Sequence, residues 1–256
     1  MRYRPRVRST SEGTENMMRK AMDKHYDENM RGLDFYNPDT DMNPLVTVVG
    51  VGGIGSWTAL CLAKMGFNRM ILIDPDNVEK QNIGCQLYGT EHLGKPKVEA
   101  LQEIITMQTA SNCTLIPEKY EISTPRGIVI ACVDNMEVRR KIFVSCQEQG
   151  HTVPLFIDCR IGGEVLLLYV INPESAAAQE WYLENWYPDN EASDQPCTGQ
   201  NIAYVGMFAG AFIAREVGKY CKEPLLNSRE IIMDIESLRL EATVGIRAAP
   251  PRREEG

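Results

Sequence analysis

Short apolar runs, each closed by glycine or an acid, alternate with amphipathic stretches through the middle of the chain. "LVTVVG" is a short, largely apolar run rich in β-branched residues, the pattern of a strand buried on both faces of a parallel sheet. "IGSWTALCLAKMG" predicts the following helix, closed by Gly66. "RMILID" is a second strand. "KPKVEALQEIITMQ" predicts a helix with Val98, Leu101, Ile104 and Ile105 along one side. "CTLIPEKYEI" and "GIVIACVD" read as strands, the latter apolar until its acid. "NMEVRRKIFVSCQEQG" is another helix, ending at Gly150. "VPLFIDCRIGGEVLLLYVI" holds two strands around Gly162 and Gly163, a hairpin pattern. This order predicts an α/β fold: a doubly wound, Rossmann-like sheet with an antiparallel extension.

From "NPESAAAQEWYLENWYPDNEASDQPC" the periodicity is lost for over twenty residues. So long an irregular stretch is rare in a compact domain unless it covers something, so a crossover loop over the site is expected. "NIAYVGMFAGAFIAREVGKYC" is then an apolar helix in which Gly206 and Gly210 permit close packing, and "REIIMDIESLRLEATVGI" supplies closing strands. The expected organisation is a tail and helical lead-in over 1–42, one domain over 43–246, and a short tail over 247–256.

Composition narrows the function. A net charge of −8 argues against a generic nucleic-acid binder, which needs a basic surface. No apolar run approaches the roughly 18 residues of a membrane span. The N-terminal "MRYRPRVRST" has no apolar core behind it and reads as a solvated tail, with a mitochondrial-type presequence as the alternative. The eight cysteines include no C-x-x-C pair, so neither a zinc knuckle nor a thioredoxin-type site is indicated, and a reducing, cytoplasmic setting fits. Cys61, Cys132 and Cys159 sit in apolar runs and read as core. His25, His92 and His151 lack metal spacing and read as structural.

"GVGGIG" places Gly50, Gly52 and Gly55 in a G-x-G-x-x-G pattern between a strand and a helix, where backbone N–H groups can approach phosphate at the positive end of the helix dipole. Asp74 ends the second strand where a ribose-binding acid is expected. That much does not separate NAD from ATP. The surroundings favour ATP. Asp76, Asn82, Gln86, Lys95 and Lys97 follow, then Asp134-Asn135 and Arg139 at the end of another strand. Hydride transfer needs a flat apolar nicotinamide pocket, whereas adenylation needs cations around a triphosphate and a carboxylate for Mg²⁺.

The ordered motifs "GVGGIG", "LIDPDNVEKQNIGCQ", "GKPK" and "VDNMEVRRK" resemble the ThiF/MoeB family, bacterial relatives of the ubiquitin-activating enzymes, from about Val46 to Gly218. The resemblance implies ATP- and Mg²⁺-dependent adenylation of the C-terminal carboxylate of a ubiquitin-like or sulfur-carrier protein, and a homodimer. It implies that Gly50, Gly52, Gly53 and Gly55 line the nucleotide and that Asp74 and Asp76 hold the ribose region. Asn82, Gln86 and Lys97 would face the phosphates, with Asp134 on Mg²⁺ and Asn135 beside it. In some members a cysteine then takes the acyl group, and Cys197 stands where the family often carries one. An unreactive loop cysteine is the equal alternative.

The sequence also departs from the family. "QNIGCQ" puts Cys85 where the family usually has arginine, and a neutral thiol cannot stabilise phosphate charge as a guanidinium can. Lys95, Arg31 and Arg139 are the candidate replacements. A family element that supplies an arginine to the neighbouring subunit is also missing. A non-catalytic subunit that keeps the fold is therefore the rival reading, and an NAD-dependent oxidoreductase, resting on the glycines alone, is the third. Asp158 and Arg160 form an ion pair or face the substrate tail. Trp181, Tyr182, Trp186 and Tyr187 either receive that tail or pack on one another.

Overall fold

The computed structural model describes residues 32, 36–37, 41–109, 111–121, 124–188, 202–224 and 227–246. The expected lead-in helix, the two chain ends and the centre of the expected crossover loop lie outside these residues. Eight strands form one sheet: β1 (Val46–Val49), β2 (Met70–Ile73), β3 (Cys113–Ile116), β4 (Ile128–Ala131), β5 (Leu155–Gly162), β6 (Val165–Ile171), β7 (Ser228–Asp234) and β8 (Arg239–Ile246). Their order is β3-β2-β1-β4-β5-β6-β7-β8. The first five are parallel and the last three antiparallel, so the expected doubly wound sheet with its extension is present.

The apolar runs become parallel strands because both of their faces are covered. In β4, Ile128 and Ile130 join one cluster while Val129 and Ala131 join the other. Helices α1 (Gly55–Met65), α2 (Lys97–Gln108) and α5 (Ala203–Lys222) contribute to the first cluster. Helices α3 (Met136–Glu148) and α4 (Ala176–Glu184) contribute to the second. The stripe of Val98, Leu101, Ile104 and Ile105 is buried as its spacing predicts. Gly163, at φ +61°, turns the hairpin between β5 and β6.

Helix α5 crosses α1 at unusually short range. A methyl group on Gly206 would run into the Gly53 carbonyl, and one on Gly210 would lie 2.8 Å from the Trp57 backbone. The two glycines thus bring the helix against the turn that follows β1.

Two expectations need correction. The described part of the stretch expected to be irregular, residues 172–188, is not so throughout, because Ala176–Glu184 is helical, capped by the Ser175 hydroxyl accepting from the Ala178 N–H at 3.3 Å. Ala178 and Tyr182, one turn apart, are its buried face. The strand expected over "CTLIPEKYEI" shortens to Cys113–Ile116, the four residues that pair with β2. Among the described residues no helix is long and apolar enough to cross a membrane.

Candidate nucleotide-binding site

The sheet reverses its winding between β1 and β4, and ligands of open α/β sheets bind at the carboxyl ends of strands at such a point. Gly50 leaves β1 there at φ +83°, and a side chain on it would meet the Cys132 carbonyl, just past β4, at 2.7 Å. Only glycine meets both demands. Its N–H donates to the Ile73 carbonyl at 2.8 Å. The next N–H, of Val51, donates to Asp74 Oδ2 at 2.8 Å, and the Val51 carbonyl accepts from the Tyr88 hydroxyl at 2.6 Å. The Gly52 carbonyl accepts from the backbone and hydroxyl of Ser56 at 3.1 and 2.6 Å. The N–H groups of Gly52, Gly53 and Ile54 have no acceptor among the described residues. Unpaired donors ahead of α1, which opens at Gly55, are a phosphate cradle in form.

A charged wall stands beside the turn. Lys97 opens α2; its N–H donates to the Asp76 carbonyl at 2.9 Å and its ammonium to Asp76 Oδ2 at 2.8 Å. The same ammonium is 3.9 Å from Asp74 Oδ1, which accepts from the Asp76 N–H at 2.9 Å. Lys97 and Asp74 are buried, whereas Asp76 is exposed. Burial raises the Asp74 carboxyl above the usual aspartate range, against the lowering pull of Lys97 and of the two N–H donors. Asp74 therefore spends its lone pairs on shaping the turn, and Asp76 is the more open of the two acids.

Three further positions close this side. The Gln86 amide lies against Gly52, 3.6 Å from where a β-carbon would stand, and its Oε1 is buried without a hydrogen-bond partner among the described residues. Asn82 accepts from the Glu79 N–H at 2.8 Å and caps the short turn Lys80–Asn82. The Cys85 thiol donates at 3.6 Å to the Gln81 carbonyl. Burial pushes that thiol up and Lys97 pulls it down, with a raised value as the result, so Cys85 is a neutral group at neutral pH.

Asp134 and Asn135 follow the end of β4, and both are exposed. Asn135 caps α3, accepting from the Val138 N–H at 2.9 Å. Arg139 is not a free cation: it is buried, paired with Asp158, and donates to the Cys159 carbonyl at 2.8 Å. Asp158, fully buried, also accepts from Arg160 at 2.8 Å and from the Tyr182 hydroxyl at 2.9 Å, so the Asp158–Arg160 pair is structural. Lys95 is paired with Glu103 at 2.6 Å on the surface. Neither Lys95 nor Arg139, as placed, replaces the charge missing at Cys85. Arg31 and Cys197 lie outside the described residues.

The aromatic segment packs against the sheet and α3, not ring on ring within itself. Tyr182 sits among Phe143, Phe156 and Tyr169, while Arg160 lies 5.3 Å from the Tyr187 ring centre and Arg140 lies 5.2 Å from that of Trp186. The Trp186 indole donates to the Met136 carbonyl at 3.0 Å, which brings the end of this segment to the first turn of α3, next to Asp134. Cys159 is core, as its apolar run predicts. The residue that sequence reasoning missed is Tyr88. It lies two positions past Gln86, and nothing local in the sequence signals its bond to Val51, 37 residues away.

Comparison with known proteins agrees with this layout. The profile of the ThiF family matches residues 42–244. The ubiquitin-like modifier-activating enzyme 5 of Drosophila grimshawi is 28% identical over 168 residues, covering 56% of this chain and 42% of that protein. Its counterpart in Drosophila willistoni is 34% identical over 124 residues, covering 41% and 30%. The chain thus spans less than half the length of these curated relatives. Among solved structures, E. coli MccB with AMPCPP and MccA superimposes with a TM-score of 0.63 at 21% identity, covering 80% of this chain and 65% of that one. The microcin C7 biosynthetic enzyme MccB in complex with N-formylated MccA gives 0.68 at 19% identity, covering 95% and 82%. At such identities the structural likeness establishes the fold.

Proposed function

The chain belongs to the ThiF family, and from that premise we propose that it is an ATP-dependent adenylyltransferase acting on the C-terminal carboxylate of a ubiquitin-like or sulfur-carrier protein or peptide. In the proposed reaction, a carboxylate oxygen of the partner forms a bond to the α-phosphorus. The bond from that phosphorus to its bridging oxygen breaks, and pyrophosphate leaves with the electron pair. The observation that carries the reading is the buried Lys97 ammonium, held between Asp76 and Asp74 beside a turn of unpaired N–H groups. A fixed cation in a water-poor wall stabilises charge that develops on departing phosphate far better than a solvated one. A nicotinamide would find lysine, aspartate and glutamine there, not an apolar slot.

The residues fit a nucleotide triphosphate. The N–H groups of Gly52, Gly53 and Ile54, without an acceptor among the described residues, are donors in want of an anion, and the Gln86 amide nitrogen beside Gly52 is a further donor on the same side. In this proposal Asp76 takes the ribose region, Asp74 braces the turn, and Asn82 and Asn135 flank the phosphates. Mg²⁺, held by the exposed Asp134, would neutralise phosphate oxygens. Cys197 is the proposed acyl acceptor if a thioester forms. MccB has been solved with AMPCPP, with ATP and with MccA, which supports a nucleotide and a second, separate ligand here. The homodimer belongs to the same proposal.

ATP–pyrophosphate exchange, with the purified chain and a small β-grasp protein ending in glycine, tests the reading. Partner-dependent exchange is expected. Partner binding with no exchange would transfer the chain to the second reading, a non-catalytic subunit. That reading is favoured by one observation: Cys85 is uncharged while Lys95 and Arg139 are committed elsewhere.

A further inference from the structure

The Val51 peptide groups are gripped from both sides by side chains distant in sequence. Asp74 Oδ2 accepts the Val51 N–H at 2.8 Å, and the Tyr88 hydroxyl donates to the Val51 carbonyl at 2.6 Å. Tyr88 is only 3% exposed, and its ring stands edge-on to the buried His92 at 6.4 Å. His92 in turn accepts the Gly89 N–H through Nδ1 at 3.0 Å, fixing the loop just past the tyrosine. The phenol is thereby anchored before it reaches the turn.

Peptide geometry gives this contact a consequence. The Val51 carbonyl and the Gly52 N–H belong to one planar, trans unit and point in opposite directions. Holding the carbonyl inward on Tyr88 sends the Gly52 N–H the other way, where it has no acceptor among the described residues. Turning the unit over needs ψ of Val51 and φ of Gly52 to change together; glycine leaves the second nearly free, so it is the bonds that hold Val51 that keep the unit in place. A reversed unit would present a carbonyl oxygen to the phosphate in place of a donor. Repulsion would then replace a charge-assisted hydrogen bond.

We propose that Tyr88 is a positioning residue of the nucleotide site: its hydroxyl locks the Val51–Gly52 peptide with the Gly52 N–H aimed at a phosphate. The role rests on the adenylation reading above. It needs the hydroxyl and not merely the ring, so Tyr88→Phe isolates it.

The test is calorimetric titration of the intact chain with ATP and Mg²⁺, alongside steady-state exchange kinetics. Tyr36→Phe is the control. It deletes an equally buried phenol bonded to a backbone carbonyl, that of Met42 at 3.2 Å, from a ring stacked on Phe67 beyond the far end of α1. Tyr88→Phe should raise the ATP Kd and KM roughly tenfold, the value of one well-placed hydrogen bond to a charged group, with kcat within about twofold. Tyr36→Phe should lower Tm as far as Tyr88→Phe does and leave Kd unchanged. In the wild-type chain the Gly52 amide resonance should shift on ATP addition, a readout that does not depend on either variant folding. Equal ATP affinity in the wild type and Tyr88→Phe, or an unmoved Gly52 amide in a chain that binds ATP, overturns this role alone. A wild-type chain that takes up no ATP overturns the role and the adenylation reading together.

Discussion

Replacing Gly206 by alanine sets two known quantities against each other. In a helix interior alanine is favoured over glycine by about 1 kcal/mol. At Gly206 the new methyl meets the Gly53 carbonyl, with the Trp57 ring at 3.0 Å, and a backbone oxygen in a tight turn cannot swing aside. Overpacking of this kind costs about 1–3 kcal/mol, and a rigid obstacle puts it at the upper end. The net expectation is a loss of about 2 kcal/mol, or a fall in Tm of roughly 4 °C for a chain of this size. Gly218 in the same helix is the internal standard. There the methyl meets only the Met65 Cε at 2.8 Å, the mobile end of a flexible side chain. Gly218→Ala should therefore be neutral or stabilising by up to about 1 kcal/mol. Urea denaturation measures both, with stability read from the midpoint at constant slope. A Gly206→Ala chain as stable as Gly218→Ala would refute the claim that α5 is seated on the glycine turn.

Three further outcomes follow from the site and its supports. Asp134→Ala should abolish Mg²⁺-dependent pyrophosphate exchange with Tm unchanged, because Asp134 is exposed; retained exchange counts against the metal assignment. Cys85→Arg should raise exchange by about tenfold or more if the site is an enzyme short of a cation, and do nothing in a non-catalytic subunit. The third concerns acid stability. Burial alone would raise the Asp158 carboxyl, but Arg139, Arg160 and the Tyr182 hydroxyl outweigh it and hold the folded value below the usual range. A depressed carboxylate contributes stability that is present above its unfolded pKa, about 3.9, and is lost as pH falls through the folded value. Asp158→Asn should therefore cost about 3–5 kcal/mol at neutral pH, since it strands two buried guanidinium groups, and should flatten the acid limb of the stability profile. Asp74, whose carboxyl is raised, works in the opposite sense, favouring the fold as pH falls. An unchanged acid midpoint in Asp158→Asn would contradict the assignment.

The strands and the glycine turn are legible in the sequence because they are governed locally. Four-residue runs buried on both faces, apolar but for the β-branched Thr47, keep the pattern plain, and the glycines mark where the backbone must turn or touch. Helix α4 is hidden for the opposite reason. Its buried face is only Ala178 and Tyr182, its first turn is three alanines that carry no contrast, and asparagines and prolines on either side suggest a loop. The Ser175 cap three residues ahead of Ala178 is the one local signal of its start. In the site, the acids and the lysine are legible as a set because they cluster after β2. Their division of labour is not. Asp74 is drawn onto Val51, 23 residues back, and Arg139 is drawn inward by Asp158, 19 residues on. Both outcomes are set by tertiary pairing, and the same holds for the Tyr88 clamp.

The central claim is that Lys97 and the glycine turn form a site for a triphosphate and not for a nicotinamide dinucleotide. Equilibrium titration of the full chain with ATP and Mg²⁺, and separately with NAD, in the wild type and in Lys97→Ala, tests it directly. Saturable ATP binding, weakened at least about tenfold by Lys97→Ala and without competition from NAD, is the predicted result. Tight NAD binding with no uptake of ATP, or ATP binding indifferent to the loss of Lys97, would contradict it.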